Sequence, residues 1–397
     1  MAGELRRLGI TDWMRGPGGL LGVCVGSYFA VRCAQIVIGP VVPVLTTDLG
    51  ISAGTVGVTL TGMWMAYAMM QLPSGLLSDR FGPVQVVLSA MLVTGIAVVA
   101  IALAPTALLF GLAMLVLGAG AGAYYNPATV LLASTYDRVG GAVGTHRIGG
   151  QIAGVLAPVI AAVLAERFGW RVAVAFAGIV TLLMSVTVLL WRSATAVQVA
   201  ASTARTSSLA GSVVSVLTLR HTRRTTILMT LVEFVGLSAM AFLPAFLIAH
   251  HNVSFATANL LFASFFTVSA VCQPLSGWGS DRLGRDLTLL MLGGCGVLGY
   301  LGLVIGGTRF VVPAVLLTGA AMSATPVVQS RMIDGLPVKD RGTGFGMFRT
   351  VYLLVGATGT TVVGFTADMA SWGWAFGGLA MVWTIVLVIT LITMLHD

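Results

Sequence analysis

Twelve stretches of mostly apolar residues run along the chain, separated by short polar breaks. They fall near 19–44, 56–76, 84–104, 107–134, 143–165 and 171–191, and again near 225–248, 256–277, 287–307, 310–333, 343–367 and 373–395. A bilayer core is crossed by about 20 apolar residues in α-helix, and each stretch has that length. The pattern predicts an all-α membrane protein of twelve transmembrane helices, numbered here as spans 1–12. They divide six and six about a polar stretch, 192–224, which holds Arg192, Arg205, Arg220, Arg223 and Arg224 among Ser and Thr. The predicted organisation is a six-helix half at 1–191, a linker at 192–224 and a second six-helix half at 225–397. Within the linker, Leu209 to Leu219 reads either as a short amphipathic helix in the membrane interface or as a loosely ordered loop.

Composition agrees with the pattern. The 397 residues are 57% apolar and 9% charged, against about 25% charged in soluble domains. The net charge of +8 does not mark a nucleic-acid binder, because the basic residues sit in short loops between apolar runs and form no single patch. Their placement predicts orientation instead. With both termini in the cytoplasm, the inner side holds Arg6, Arg7, Arg15, Arg80, Arg138, the linker arginines, Arg282, Arg285, Arg331, Lys339 and Arg341. The outer side holds only Arg167, Arg171 and Arg309. That is the positive-inside bias of a multi-pass protein of the cytoplasmic membrane. Cys24, Cys33, Cys272 and Cys295 all lie in apolar runs without metal-ligand spacing and read as apolar fillers. No cleavable signal peptide is evident, since the run after Arg15 continues as a full span. No nucleophile–base pair, metal cluster or phosphate-cradling glycine loop is visible, so neither an enzyme nor a cofactor is expected.

One motif appears twice. Gly75-Leu-Leu-Ser78-Asp79-Arg80-Phe-Gly82 returns as Gly277-Trp-Gly-Ser280-Asp281-Arg282-Leu-Gly284, an offset of 202 residues. Each copy lies between two apolar runs, and its two glycines suit a sharp turn and a close helix approach. Gln71 and Gln273, and Gly144 and Gly346, keep the same offset; Gly169-Trp170 and Gly373-Trp374 keep one of 204. The motif resembles the signature loop of the major facilitator superfamily. The resemblance covers essentially the whole chain and implies a secondary transporter with two pseudo-symmetric halves that rock about a midplane site. It also implies that the loops form a cytoplasmic gate, with Asp79 capping span 11 and Asp281 capping span 5. The first copy departs from the family pattern, with Pro83 and Val84 where basic residues are usual; the second keeps Arg285.

Ionisable residues inside spans are functional candidates, since each costs at least ~2.5–3.5 kcal/mol to insert at the bilayer centre. Arg32 lies mid-span in span 1, and Tyr28, Arg32 and Gln35 share one face. A guanidinium fork suits an anion; the alternative is a structural ion pair with Glu233 in span 7, 201 residues on. Glu233 is the candidate for proton coupling, or a permanent counter-ion. Arg147 and Arg349 are repeat partners. They either bind an anion together or form gate pairs, Arg147 with Asp281 and Arg349 with Asp79. Gly150, Gly154 and Pro158 near Arg147, and Gly356 and Thr360 near Arg349, suit a cavity wall or a close helix contact. His146 either titrates near neutrality or packs as an aromatic. His250 and His251 read as surface residues. Trp64, Tyr67 and Gln71 of span 2, Tyr124, Tyr125 and Asn126 of span 4 before a kink at Pro127, Gln151 of span 5 and Gln273 of span 8 complete the polar set.

Three intramembrane arginines against one glutamate leave a net +2, which attracts anions. The expected partners are therefore a small anionic substrate, a proton or an exchanged anion, and the lipid bilayer, with the protein a monomer. The expected activity is proton-coupled symport of a small organic anion by alternating access. The alternative is multidrug or hydrophobic-solute efflux by proton antiport. Ala157 before Pro158, and Met114 where the drug exporters carry a span-4 arginine, speak against it.

Overall fold

The computed structural model describes residues 17–195, 220–335 and 341–396. The linker segment Leu209–Leu219 and Lys339 lie outside the described residues, as do Arg6, Arg7, Arg15 and Arg205. Sixteen α-helices and one 3-10 turn make up the described chain, with no strand among these residues. In order they are α1 (Pro17–Ile36), α2 (Ile38–Leu49), α3 (Ala53–Phe81), α4 (Pro83–Leu103), α5 (Ala107–Gly122), α6 (Tyr125–Ala133), α7 (Val139–Phe168) and α8 (Trp170–Thr195). They continue as α9 (Arg220–His251), α10 (Phe255–Leu283), α11 (Arg285–Ile305), α12 (Val311–Ala321), α13 (Ala324–Asp334), α14 (Arg341–Gly356), α15 (Thr358–Met369) and α16 (Trp372–His396). Eleven membrane-length segments meet a strict apolar criterion. The twelfth, α3, has 29 residues, enough to cross a bilayer core at 1.5 Å per residue. Its Thr, Gln71, Ser74, Ser78, Asp79 and Arg80 lower its apolar character.

Four spans are broken in two, and proline explains three of the breaks. Proline lacks an N–H, and its ring collides with the carbonyl four residues earlier. Pro40 stands four residues after Ile36, the last residue of α1, and Pro127 and Pro326 stand four residues after Ala123 and Met322, the first residues beyond α5 and α12. The predicted kink before Pro127 is thus a full break. The fourth break, at Ala357 between α14 and α15, has no proline. Pro43, Pro73, Pro158, Pro244 and Pro274 stay inside continuous helices.

Contacts divide the chain into two compact units. One comprises 1–38, 66–157 and 164–205; the other comprises 39–65, 158–163 and 206–397. In the first, α4 packs on α5 and α8, and α8 on α1. In the second, α11 packs on α12 and α16, and α16 on α9, so the same arrangement occurs twice. Glycines set the spacing. A Cβ at Gly122 would stand 2.4 Å from the Tyr67 carbonyl oxygen, and one at Gly319 2.6 Å from that of Phe265. Only glycine allows backbones this near.

The signature turns are sharper and shorter than their sequence suggests. Helix α3 runs through Ser78, Asp79 and Arg80 to Phe81, and α10 runs through Ser280, Asp281 and Arg282 to Leu283. All the turning is done by Gly82 and Gly284, at φ +85° and +89°, with ψ 146° and 157°. Side chains are excluded from that region. Gly75 and Gly277 lie within the helices with open space beside them, so the expected use of the first glycine for a turn or a close approach is not what the fold does.

Gly82→Ala and Gly284→Ala are each expected to cost ~1–3 kcal/mol, seen as a lower unfolding midpoint of the purified protein. Gly75→Ala and Gly277→Ala, in open helical positions, should leave that midpoint unchanged or raise it.

Candidate functional site

In the first unit, the polar positions of α1, α3, α6 and α7 and the α5–α6 junction converge. Gly149 and Gly150 of α7 make room for α1. A Cβ on Gly149 would meet the Val25 carbonyl oxygen at 2.2 Å; one on Gly150 would meet Tyr28 Cε1 at 2.5 Å and Arg32 Cγ at 3.2 Å. Arg32 is half-buried, and its Nη1 donates to Gln35 Oε1 at 2.9 Å. No carboxylate of this unit pairs with it among the described residues. Arg32 and Arg147 both act electrostatically on the Tyr28 phenol. Arg147 itself is exposed, and Gln151, one turn on, is half-buried.

An aromatic cluster stands beside the arginines. The Tyr28 ring centroid is 4.8 Å from His146, 5.6 Å from Tyr125 and 6.1 Å from Tyr124. Tyr125 stacks on His146 at 5.7 Å. The Tyr124 hydroxyl donates to the Cys24 carbonyl at 3.0 Å and lies 3.1 Å from His146 Nε2. A phenol has one proton, and the carbonyl takes it. With that proton engaged, His146 Nε2 is the donor to the Tyr124 oxygen, and Nδ1 is buried without a partner. His146 is thus packed among aromatics and hydrogen-bonded as well.

On α3, Tyr67 and Gln71 are buried. Asn126 Nδ2 donates to the Gln71 backbone carbonyl at 2.6 Å, and Ser74 Oγ donates to the same oxygen at 2.8 Å. Both amide atoms of Gln71 are buried without a partner.

The second unit holds the remaining candidates. Glu233 and Arg349 are half-buried and Gln273 Nε2 lies 3.4 Å from Ser269 Oγ. A Cβ at Gly356 would stand 2.8 Å from Glu233 Cβ, so the α9–α14 contact is tight beside the carboxylate. Gln329 Nε2 donates to the Tyr352 hydroxyl at 3.3 Å. Around the second signature turn, Arg285 Nε donates to Asp334 Oδ2 at 2.6 Å, Arg285 Nη1 donates to Ser280 Oγ at 3.2 Å, and Arg331 pairs with Asp286. The first turn has Pro83 and Val84 at these places; there Arg192 bonds Gln85 across α8 and α4. The arginines of the motif copies stack on neighbouring rings, Arg80 over Phe81 and Arg282 over Trp278. Asp79 is half-buried and Asp281 exposed. His250 and His251 place Nε2 at 3.2 and 2.7 Å from the Val304 and Leu303 carbonyls near the end of α11. No group of metal-ligating side chains occurs among the described residues.

A contact that sequence reasoning missed lies at the start of α3. Asp368 Oδ1 and Oδ2 accept from the backbone N–H groups of Ala53 and Gly54 at 3.1 and 2.7 Å. Thr61 Oγ1 meets Thr360 Oγ1 at 2.8 Å, Thr361 Oγ1 at 2.6 Å and the Ala357 carbonyl at 2.9 Å, and Thr360 Oγ1 donates to the Gly57 carbonyl at 2.9 Å. Asp368 sits in the last turn of α15, the wrong end of its own helix dipole, but at the favourable end of α3. Gly57 and Gly364 admit the contact, since a Cβ on either would stand 2.3 or 2.4 Å from a carbonyl oxygen of the other helix. The only sequence signal was Thr360 and the small residues near it.

The family model described as Major Facilitator Superfamily matches residues 24–305 and 225–396. Among curated proteins, a probable sulfoacetate transporter, SauU, of Cupriavidus necator is 29% identical over 167 residues, 41% of this chain and 38% of that one. A probable hexose phosphate transport protein of Chlamydia muridarum is 26% identical over 144 residues, 36% of this chain and 32% of that one. The matched part of the chain thus spans about a third of the length of these relatives. Among solved structures, the nucleoside transporter NupG superposes with a TM-score of 0.79 at 12% identity, covering 95% of this chain and 98% of that one. A bacterial homologue of the human lysosomal transporter Spinster, in an inward-facing unoccupied conformation, gives 0.76 at 16% identity, covering 95% of each. At these identities the structures speak for the fold alone.

Asp368→Ala removes a cap of two N–H groups and is expected to lower stability by ~0.5–2 kcal/mol. Asp368→Asn, which keeps an acceptor, should cost less. Unfolding midpoints of the purified variants check the order; an unchanged midpoint in Asp368→Ala would mean that the contact contributes nothing.

Proposed function

This chain belongs to the Major Facilitator Superfamily, and on that premise we propose that it is a secondary active transporter of a small organic anion, coupled to protons and working by alternating access in the cytoplasmic membrane. The observation that supports the substrate class is Arg32: a guanidinium within a membrane span, bonded to a neutral Gln35 and without a carboxylate partner among the described residues of its own unit. A charge placed there at such cost calls for a counter-charge, and a substrate anion supplies it. Two relatives bear names of anion carriers, for sulfoacetate and hexose phosphate.

In this reading Arg32 is the anion clamp, with Tyr28, Gln35, Tyr67, Gln71, Tyr124, Asn126, Gln151 and Gln273 lining the path. Arg147 and Arg349 either join the clamp or hold the gate with Asp281 and Asp79. Glu233 takes the coupling proton. The signature residues Gly75, Asp79, Arg80, Gly82, Gly277, Asp281, Arg282 and Gly284 belong to the cytoplasmic gate, and the protein works as a monomer with both termini inside. The α3–α15 contact at Asp368 and Thr61 closes the opposite, outer end, and its neutral hydrogen bonds and single carboxylate are weak enough to break in each cycle.

Two measurements test this. In a thermal-shift panel of small sulfonates, sugar phosphates, carboxylates, neutral sugars and lipophilic cations, an anion at 100 times its Kd should stabilise the protein by ~2.7 kcal/mol, and Arg32→Ala should lose that shift. A shift from cations or neutral solutes alone overturns the reading. In proteoliposomes, Glu233→Gln should lose accumulation driven by a proton gradient while keeping anion exchange. Accumulation that persists removes Glu233 from coupling.

A further inference from the structure

A threonine inside a span ordinarily donates back to a carbonyl of its own helix. Thr61 of α3 and Thr360 of α15 reach across to each other's. Both stand in the second compact unit, which joins 39–65 to 206–397. Thr61 Oγ1 meets the Ala357 carbonyl at 2.9 Å, and Thr360 Oγ1 meets the Gly57 carbonyl at 2.9 Å. Gly57 is one turn back from Thr61, and Ala357 is one turn back from Thr360. Each hydroxyl therefore serves the carbonyl that the other would use on its own helix. Thr360 stands between the two, since its Oγ1 also lies 3.0 Å from the Ala357 oxygen, and its one proton serves one carbonyl at a time. Thr61, Gly57, Ala357 and Thr360 are all buried.

The crossing coincides with the break that no proline explains. Ala357, at that break, offers its carbonyl to both hydroxyls and to the Thr360 N–H at 3.2 Å. This N–H bond spans three residues, where an α-helix spans four. Upstream the ladder is regular, with the Ala357 N–H bonded to the Leu353 carbonyl at 2.9 Å. A side chain that enters a helical ladder distorts it, and here the intruder is a hydroxyl from another helix. Resting on the alternating-access reading above, we propose that Thr61 and Thr360 are positioning residues of the transport cycle, which exchange carbonyls when the α3–α15 contact opens. Thr61 turns back to Gly57 and Thr360 to Ala357, so two hydroxyls satisfy the same two carbonyls before and after. Thr361 Oγ1, 2.6 Å from Thr61 Oγ1, has the Ala357 carbonyl one turn back on its own helix. The contact thus opens within hydrocarbon without orphaning a polar group. Released from Thr61, span 11 closes its ladder, and the Thr360 N–H returns to the Gly356 carbonyl. The break in span 11 is the mark of the closed contact.

Amide hydrogen exchange of the purified full chain in lipid nanodiscs, read by mass spectrometry, tests this. Thr61→Val keeps the shape and loses the hydroxyl. Residues 357–362 should then exchange about fivefold more slowly than in the wild type, the effect of one hydrogen bond gained. Thr61→Ser should restore the wild-type rate. Asp368→Ala releases the same contact from its other end, at Ala53 and Gly54. There the first turn of α3 should exchange faster and 357–362 more slowly, opposite signs in two touching helices. A contact that acts only as glue would speed both. Faster or unchanged exchange at 357–362 in either variant overturns the inference, and Asp368→Ala decides alone if Thr61→Val does not fold. No ligand enters these measurements, so a failed anion reading leaves the exchange of carbonyls standing. Absence of transport in proteoliposomes, with the exchange signature intact, counts against the transport reading and not against the two threonines.

Discussion

Hydrocarbon offers no hydrogen bonds, and nearly every feature of this protein follows from that. Each N–H and C=O inside the bilayer must find a partner in the chain itself, so the spans are helices. Hydroxyl side chains obey the same rule locally. Thr94, Thr181, Thr226 and Thr390 each donate to the carbonyl one turn earlier, at 2.7–2.8 Å. Against that background the exceptions carry meaning. Among the buried atoms without partners, Gln35 Nε2, both amide atoms of Gln71 and His146 Nδ1 stand in the unit that holds Arg32, while Asn259 Oδ1, the Tyr300 hydroxyl and Trp383 Nε1 stand in the other.

Proline and glycine supply what regular helices lack. Pro40, Pro127 and Pro326 end a helix four or five residues upstream, and the Pro127 break sets Tyr124 at a junction from which its hydroxyl reaches Cys24 and His146. Glycine acts in two separate ways. At Gly82 and Gly284 the backbone takes a conformation closed to side chains. At Gly57, Gly122, Gly149, Gly319 and Gly364 the conformation is ordinary helix, and the missing Cβ lets another backbone come close.

Charge is distributed by the same economy. Around the second signature turn, Arg285 meets Asp334 where water screens both, and such a pair contributes little to stability; Arg331, paired with Asp286, is buried. Inside its span Arg32 has a neutral hydrogen-bond partner, Gln35, instead. Arg32 and Gln35 were legible in the sequence, since a spacing of three residues puts both on one helix face. Tyr28 and Arg147 were legible by the same argument of periodicity and burial cost. Asp368 was not, because it lies at the end of its span, where a carboxylate is unremarkable.

Local and repeated features were therefore readable from the chain alone: the spans, the six-and-six repeat, the family and the polar faces of single helices. Each rests on period, length or composition, which a sequence displays directly. The tertiary structure decided what depends on contacts between distant residues. It turned Gly150 into the floor beneath Arg32, and it joined Asp368 to Ala53 and Gly54 across more than 300 positions. It also passed the turn from the first glycine of each motif copy to the second. Such outcomes depend on how closely two backbones approach and which donors that approach leaves unmet, and neither is written in one helix.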